Sequence, residues 1–327
     1  MKERTENLLI IALACIIVGL AGGYIVYKKR GIPFVTQREQ WTISIFNGTS
    51  PLTVKNTHPL RNPIMKAEYV TDVPAKFVAD PFLMQDDSTW YLFFEVYNLD
   101  TAQGDIAVAT STDTVHWDYQ RIVLDEPFHL SYPHVFEWDG DFYLIPESFE
   151  SNSIRLYKAT DFPYQWEFVT TLVDNMSMVD SSIVRYDDKW WLFSSEATKE
   201  NDTLRLFYSD ELEGSWQEHP MSPIVAGNNH KARMSGRILE YNDRLYRFTM
   251  DLTPSFGTHR VMAYEITQLA PDSYAEVPYS DDPILAPDGS GWNSQAMHQI
   301  DAHEISENKW IASVDGFGPY LIFGLQY

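Results

Sequence analysis

Apolar and polar positions along this chain alternate in a unit that is written five times. Each copy is a strand, a tight polar turn and a returning strand, with an acidic or polar residue at either end. The copies read VADPFLMQDDSTWYLFFE from Val78, SYPHVFEWDGDFYLIPE from Ser131, VDSSIVRYDDKWWLFSSE from Val179, MSGRILEYNDRLYRFTMD from Met234 and MHQIDAHEISENKWIASVD from Met297. Their anchor positions, Trp90, Phe142, Trp190, Leu245 and Trp310, are 52, 48, 55 and 65 residues apart. Short strands repeating at about 50 residues predict a β-propeller.

Each of the first four copies is followed by a second hairpin, such as IAVATS then WDYQRIVL, which gives four strands per blade. The fifth has its first hairpin and YLIFGL (Tyr320–Leu325), one strand short of the others. An alternating strand at Trp41–Asn47 belongs to no copy and is available to supply the missing one. Closing the ring with a strand from the other terminus removes two open sheet edges. The expected fold is therefore all-β: a five-bladed β-propeller with four-stranded blades over residues 41–327, closed by an N-terminal strand.

Ahead of it, Leu8–Tyr27 runs for twenty residues without a charge, the length that crosses a hydrocarbon core. The reading is one transmembrane helix within an anchor at 1–30, a short tether at 31–40, and a single-pass membrane protein. Lys28, Lys29 and Arg30 after the span, against Lys2 and Arg4 before it, lean toward a cytoplasmic domain, and the topology stays open. The single cysteine, Cys15, falls in the span, so no disulfide is expected in the folded domain. The chain carries a formal net charge of −22. Nucleic acid and anionic lipid headgroups are excluded as partners by that charge, whereas neutral or cationic ligands, sugars among them, are compatible. A solvated acidic surface accounts for most of it.

In a blade, a hairpin returns its two ends to one face of the disc. That logic gathers Asp80, Asp180, Glu95, Glu147, Glu196 and Asp251 at one mouth of the channel, with Asp315 near them and His298 and His303 approaching. Crowded carboxyls hold different protonation states at one pH, which is the condition for acid and base work. The plainer alternative is that strand-end acids accept backbone N–H bonds in turns. Zinc is disfavoured because no His/Cys pair has ligand spacing, and no other cofactor is required. A calcium ion or water-bridged cation near His298 is compatible with the pattern.

Ala79-Asp80-Pro81, Tyr132-Pro133-His134 and Val179-Asp180-Ser181-Ser182 resemble the blade-opening motifs of glycoside hydrolase family 43. The resemblance implies a general base at Asp80 and, at Asp180, a residue that orients and tunes the acid. The family's general acid, a blade-four glutamate, falls by register on Ser235, and a serine does not protonate a leaving oxygen near neutral pH. Glu147 or Glu196 is then the expected substitute. A longer resemblance, in DVPAKFVADPF, LDEPFHLSYPHVFEWDGDFYLIPES, NDTLRLFYSD and GWNSQAMHQIDAH, is to the N-terminal domain of plant glucosamine inositolphosphorylceramide transferases.

Two function classes follow. One is a membrane-anchored glycoside hydrolase with Asp80, Asp180 and Glu147 or Glu196 in the chemistry. Substrate would be held by Glu95, Tyr132, His134, Arg233, Arg237, Asp251, His298 and Asp301. The alternative is a non-catalytic module that binds a glycan or glycolipid for a partner glycosyltransferase. A protein scaffold working through its rim is a third reading, and it predicts nothing special at the mouth.

Overall fold

Five antiparallel sheets succeed one another along the chain, each hairpin turning where the sequence places Asp, Asn or Gly. The computed structural model describes residues 35–57, 62–253 and 259–323. Contacts divide the chain into Gln40–Gly318, which holds the bulk of the five sheets, and a second unit made of the segments outside those limits. The apolar stretch at 8–27 lies outside the described residues. Among the described residues, no helix is long and apolar enough to cross a membrane.

Blade one pairs β2 (Ala75–Asp86), β3 (Thr89–Asn98), β4 (Gln103–Ser111) and β5 (Asp118–Leu124) in that order. Blade two is β6 (Ser131–Trp138), β7 (Asp141–Glu147), β8 (Ser153–Asp161) and β9 (Gln165–Asp174). Blade three is β10 (Met178–Tyr186), β11 (Lys189–Glu196), β12 (Leu204–Ser209) and the two-residue β13 (Gln217–Glu218). Blade four is β14 (Leu239–Tyr241), β15 (Arg244–Asp251), β16 (Arg260–Ala270) and β17 (Ser273–Pro278). The five-bladed, four-stranded expectation holds in these four sheets.

The fifth sheet differs in detail. It has three strands, ordered β1 (Val35–Gly48), β19 (Lys309–Phe323) and β18 (Ile300–Ser306). The N-terminal strand does close the ring, but in the third position rather than the fourth. YLIFGL is not a separate strand, because its first residues continue β19. The fourth position is taken by a single bridge between Ile43 and Met65. Asn-Pro-Ile-Met (62–65) repeats Ser-Pro-Ile-Val (222–225) and Asp-Pro-Ile-Leu (282–285), which bridge Leu204 and Val261 in the same way.

Local chemistry explains the hairpins. Two-residue turns that match strand twist need positive φ at both central positions, which Asp, Asn and Gly tolerate. Asp139-Gly140, Asp187-Asp188 and Asn242-Asp243 all adopt it. The second strand of each hairpin is buried on both faces, as in Trp90-Tyr91-Leu92-Phe93-Phe94, because a blade packs against neighbours on either side. Trp90, Trp190, Leu245 and Trp310 are buried as anchors should be.

Polar side chains tie the blades together near the axis. Arg237 bonds the Asp301 carboxylate and donates to the carbonyls of Leu83 and Val135, each at 3.2 Å. One guanidinium therefore joins four blades. The Tyr132 hydroxyl meets Ser182 Oγ at 2.9 Å and donates to the Gly236 carbonyl at 3.0 Å. Gly236 has φ +138°, and a Cβ there would lie 1.8 Å from the Ile300 carbonyl oxygen. Gly236→Ala is expected to lower stability by about 3 kcal/mol in urea unfolding, since neither backbone can withdraw without breaking blade contacts.

Candidate functional site

Three blades open with the same irregularity. The ladders of blades one, two and three slip between Ala79 and Phe82, Ser131 and His134, and Val179 and Ser182. At each slip a non-glycine residue takes left-handed backbone: Asp80 at φ 54°, Tyr132 at 44° and Asp180 at 52°. Such bulges re-aim a side chain, and strained backbone of this kind concentrates at functional sites. Here they bring the side chains of Asp80 and Asp180 to a common space with Glu95 and Glu147, which close the first hairpins of blades one and two.

The buried charges there are only partly matched. Asp180 accepts from Arg233 Nε at 2.5 Å, and that side chain is 3% exposed. Asp315 is paired with His298, whose Nδ1 lies 2.9 Å from Oδ1 and 2.8 Å from Oδ2. Among the described residues, Asp80, Glu95 and Glu147 have no comparable cation. Asp80 Oδ1 is 3.7 Å from His298 Nδ1, and Oδ2 accepts a long 3.3 Å bond from the Tyr132 N–H. Glu147 is 5% exposed, and its Oε2 has no hydrogen-bond partner.

Burial without compensation favours the neutral acid. Asp80 is pushed up to about 7, chiefly by burial; His298 opposes the rise, and Asp315 and Asp180 add to it. Burial, then the charges of Asp80 and Glu147, hold Glu95 well above the usual carboxylate range. Burial, then Asp180, does the same for Glu147, with Arg233 working against it. For His298 burial disfavours protonation, but Asp315 and Asp80 outweigh it and raise its pKa. The mouth thus holds three carboxyls raised above the usual carboxylate range beside two that are matched by cations.

Asp80, His298 and Asp315 can bring ligand atoms within 4.8 Å of one another, close enough to consider a cation. Asp315 Oδ1 already accepts the N–H groups of His298 and Gln299, and Oδ2 accepts that of Asp80 at 3.0 Å. A cation beside His298 would share the Asp315 oxygens with the N–H groups that shape the Asp80 turn.

The structure separates the remaining expected residues. Glu196 is not at the mouth; it pairs with Arg205 at 2.5 Å, and Arg205 also holds Glu218. Asp251 is also elsewhere, bonded to Arg260, Thr253 and His230. Arg237, Asp301 and His303 form one buried network, and His134 is 1% exposed with its ring on Phe82. Arg237, Asp301, His134 and the Tyr132 ring therefore hold blades together rather than face a ligand. Arg233 is at the mouth, committed to Asp180.

Two neighbours carried no sequence signal. Trp41, on the closing strand, stacks on His298 with ring centroids 3.8 Å apart and an interplanar angle of 22°. His129 lies beside Glu95 and enters from the loop before β6.

The family model for the N-terminal domain of glucosamine inositolphosphorylceramide transferase 1 matches residues 36–317. The chain belongs to that family. Glucosamine inositolphosphorylceramide transferase 1 of Oryza sativa subsp. japonica is 36% identical over 297 residues, covering 84% of this chain and 40% of the rice protein. The Arabidopsis thaliana protein of the same name is 35% identical, covering 84% and 39%. The chain thus spans about two fifths of the length of these relatives. Among solved structures, an exo-β-1,3-galactanase from Clostridium thermocellum superposes with TM-score 0.53 at 14% identity, covering 66% of this chain and 52% of that one. A thermostable family-43 glycoside hydrolase gives 0.53 at 13%, covering 79% and 96%. At these identities the structural likeness is one of fold. Ser235, in blade four, is fully buried, and its Oγ donates to the His298 carbonyl.

Proposed function

We propose that the channel mouth hydrolyses a glycosidic bond, with Asp80 as general base and Glu147 as general acid. Asp80 takes a proton from water as that water adds to the anomeric carbon. Glu147 gives its proton to the departing oxygen. Asp180, fixed by Arg233, lies beside Glu147 and keeps that carboxyl protonated until transfer. The observation that carries this reading is the presence of Asp80 and Glu147 in one buried space, neither matched by its own cation among the described residues, with Glu147 held well above the usual carboxylate range and Asp80 raised to about 7. Acid and base work near neutral pH needs carboxyls raised in this way. The sugar-active fold relatives and the transferase names of the longer relatives are consistent with a carbohydrate or glycolipid substrate. Residues 8–27 would hold the domain at a membrane.

The test is the full chain in detergent against a panel of aryl glycosides, with the anomer of the product followed by NMR. Turnover with inversion is expected, because a water activated by Asp80 attacks opposite the leaving group. Turnover with retention would contradict the assignment of Asp80 as base.

A second reading has one observation in its favour. Ser235 falls where the family-43 resemblance would place the acid, and its hydroxyl donates to the His298 carbonyl. A binding module serving a partner transferase would show glycan binding without turnover, and that binding would survive Asp80→Asn.

A further inference from the structure

At the far ends of the hairpins, away from the mouth, the blades repeat an aromatic contact that is left open at one junction. Trp138, Tyr186 and Tyr241 hold the same register position, just before the turn, opposite Asp141, Lys189 and Arg244. Trp138 packs edge-on against Trp190, the anchor of the next blade, with ring centroids 4.9 Å apart. Tyr241 meets Trp310 of the next blade in the same way at 5.5 Å. Tyr186 has no such partner, because the anchor of blade four is Leu245 and leucine offers no ring. Tyr186 is 41% exposed, and among the described residues no ring packs against it.

Between Tyr186 and blade four lies a cavity of about 220 Å³. Leu245, Ile266 and Leu269, all buried, supply its apolar lining. Drug-sized ligands occupy roughly 300–1,000 Å³, so this space suits a single ring. The charges around it are unequal. Arg185, Lys189 and Arg244 are the basic residues next to the two turns. Arg244 pairs with Glu265 at 2.9 Å, Arg185 reaches Asp188 at 3.7 Å, and Lys189 is bonded to Asp210. Asp187, Glu240 and Asp243, on or beside the same turns, have no ion-pair partner among the described residues. Each of these cations is already matched, and acid is left over.

We infer that this cavity docks a partner protein through a tryptophan or tyrosine that stands next to a lysine or arginine. The partner's ring would complete the contact that Trp190 and Trp310 complete at their own junctions, packed on Tyr186 and over Leu245. Its basic neighbour would meet the unmatched acids of the two turns. Aromatic and basic side chains seated in a pocket carry most of the energy of many interfaces, and complementary charge fixes the partner. Charge decides between this occupant and two others. A neutral sugar ring would stack on Tyr186 equally well but leave the excess acid unmatched. A second copy of this chain brings its own formal net charge of −22 and would be repelled. The cavity stands apart from the mouth, and the inference is independent of the reaction proposed there.

The experiment selects a phage-displayed library of random peptides on the full chain in detergent. The recovered peptides are then measured by fluorescence anisotropy against the wild type and three variants. Tyr186→Ala removes the exposed ring at the cavity, Leu245→Trp supplies the ring from within, and Asp80→Asn alters the mouth. The expected peptides share an aromatic residue next to Lys or Arg. Their affinity should fall about tenfold or more in Tyr186→Ala and in Leu245→Trp, and stay unchanged in Asp80→Asn. It should also weaken as salt is raised. If Leu245→Trp does not fold, Tyr186→Ala carries the test alone, since it removes an exposed side chain. Peptides that bind Tyr186→Ala as tightly as the wild type would overturn the inference, as would a selection that yields no binder or none with an aromatic residue. A neutral sugar bound only when Tyr186 is present, with no peptide bound, would also overturn it and make the cavity a glycan site. Turnover at the mouth should be the same in Tyr186→Ala, so failure here leaves the glycosidic reading standing.

Discussion

Asp80→Asn is expected to reduce turnover by about a thousandfold while leaving the propeller folded. The rate loss follows from removing a positioned base, whose contribution typically falls between 10²- and 10⁴-fold. The fold survives because Asp80 sits at φ 54°, a left-handed conformation that Asn accepts more readily than most residues. Asn can also accept the Tyr132 N–H, and its own N–H can still donate to Asp315. The pH dependence carries a second signature. Wild-type activity should rise with pH toward about 7 as Asp80 loses its proton, and fall once Glu147, whose carboxyl burial holds well above the usual range, loses its own.

Stability should respond in the opposite sense. The folded-state pKa of Asp80 is raised from 3.8 to about 7, so between those values the native state binds more protons than the unfolded chain. Stability therefore falls with rising pH across that window, by at most about 4 kcal/mol from this group. Asp80→Asn removes this dependence. The variant should match the wild type near pH 4 and exceed it above pH 7, a gain in stability at the expense of activity. Urea unfolding at the two pH values, beside a rate measurement, reads both effects. A variant that loses activity and stability together at pH 8 would mark Asp80 as a structural acid.

How much of this was legible in the sequence depended on what each feature rests upon. The five hairpins were, because their turns must be Asp, Asn or Gly and their strands must be apolar on both faces. The closing strand takes the third position and not the fourth because Asn-Pro-Ile-Met forms the outer bridge, as its two counterparts do in their blades, a repeat that lies in the residues. The site was half legible, and the reason is one of counting. Glu95 follows Asp80 by fifteen residues, and Glu147 follows Tyr132 by fifteen; Glu196 follows Asp180 by sixteen, and Asp251 follows Ser235 by sixteen. In blade three the extra residue turns the side chain to the other face, because strand side chains alternate, whereas in blade four Asp251 falls two residues past the position opposite Met234. The positions that correspond to Glu95 are Ser195, opposite Val179, and Thr249, opposite Met234. Glu196 and Asp251 lie farther along their strands, where Arg205 and Arg260 pair with them.

The remaining site features depend on contacts between distant segments. Arg233 was expected to hold substrate, but Asp180 claims it across 53 residues. Trp41 reaches His298 only because the N-terminal strand joins the fifth blade. His129 reaches Glu95 only because residue 104 has no side chain. Nothing in local pattern announces such pairs, since each is set by how blades meet.

The claim on which the functional account turns is that Glu147 is the proton donor in place of Ser235, and leaving-group dependence tests it. An acid is needed only when the departing oxygen is basic. Glu147→Gln should therefore slow hydrolysis of an unactivated alkyl glycoside by about 10²- to 10⁴-fold, the range for a general acid. The same variant should cleave the dinitrophenyl glycoside at close to the wild-type rate, because that phenolate leaves unaided. Gln is close in shape to the protonated acid, so packing beside Asp180 and Arg233 changes little. A Glu147→Gln variant that slows both substrates equally, or neither, would contradict the account.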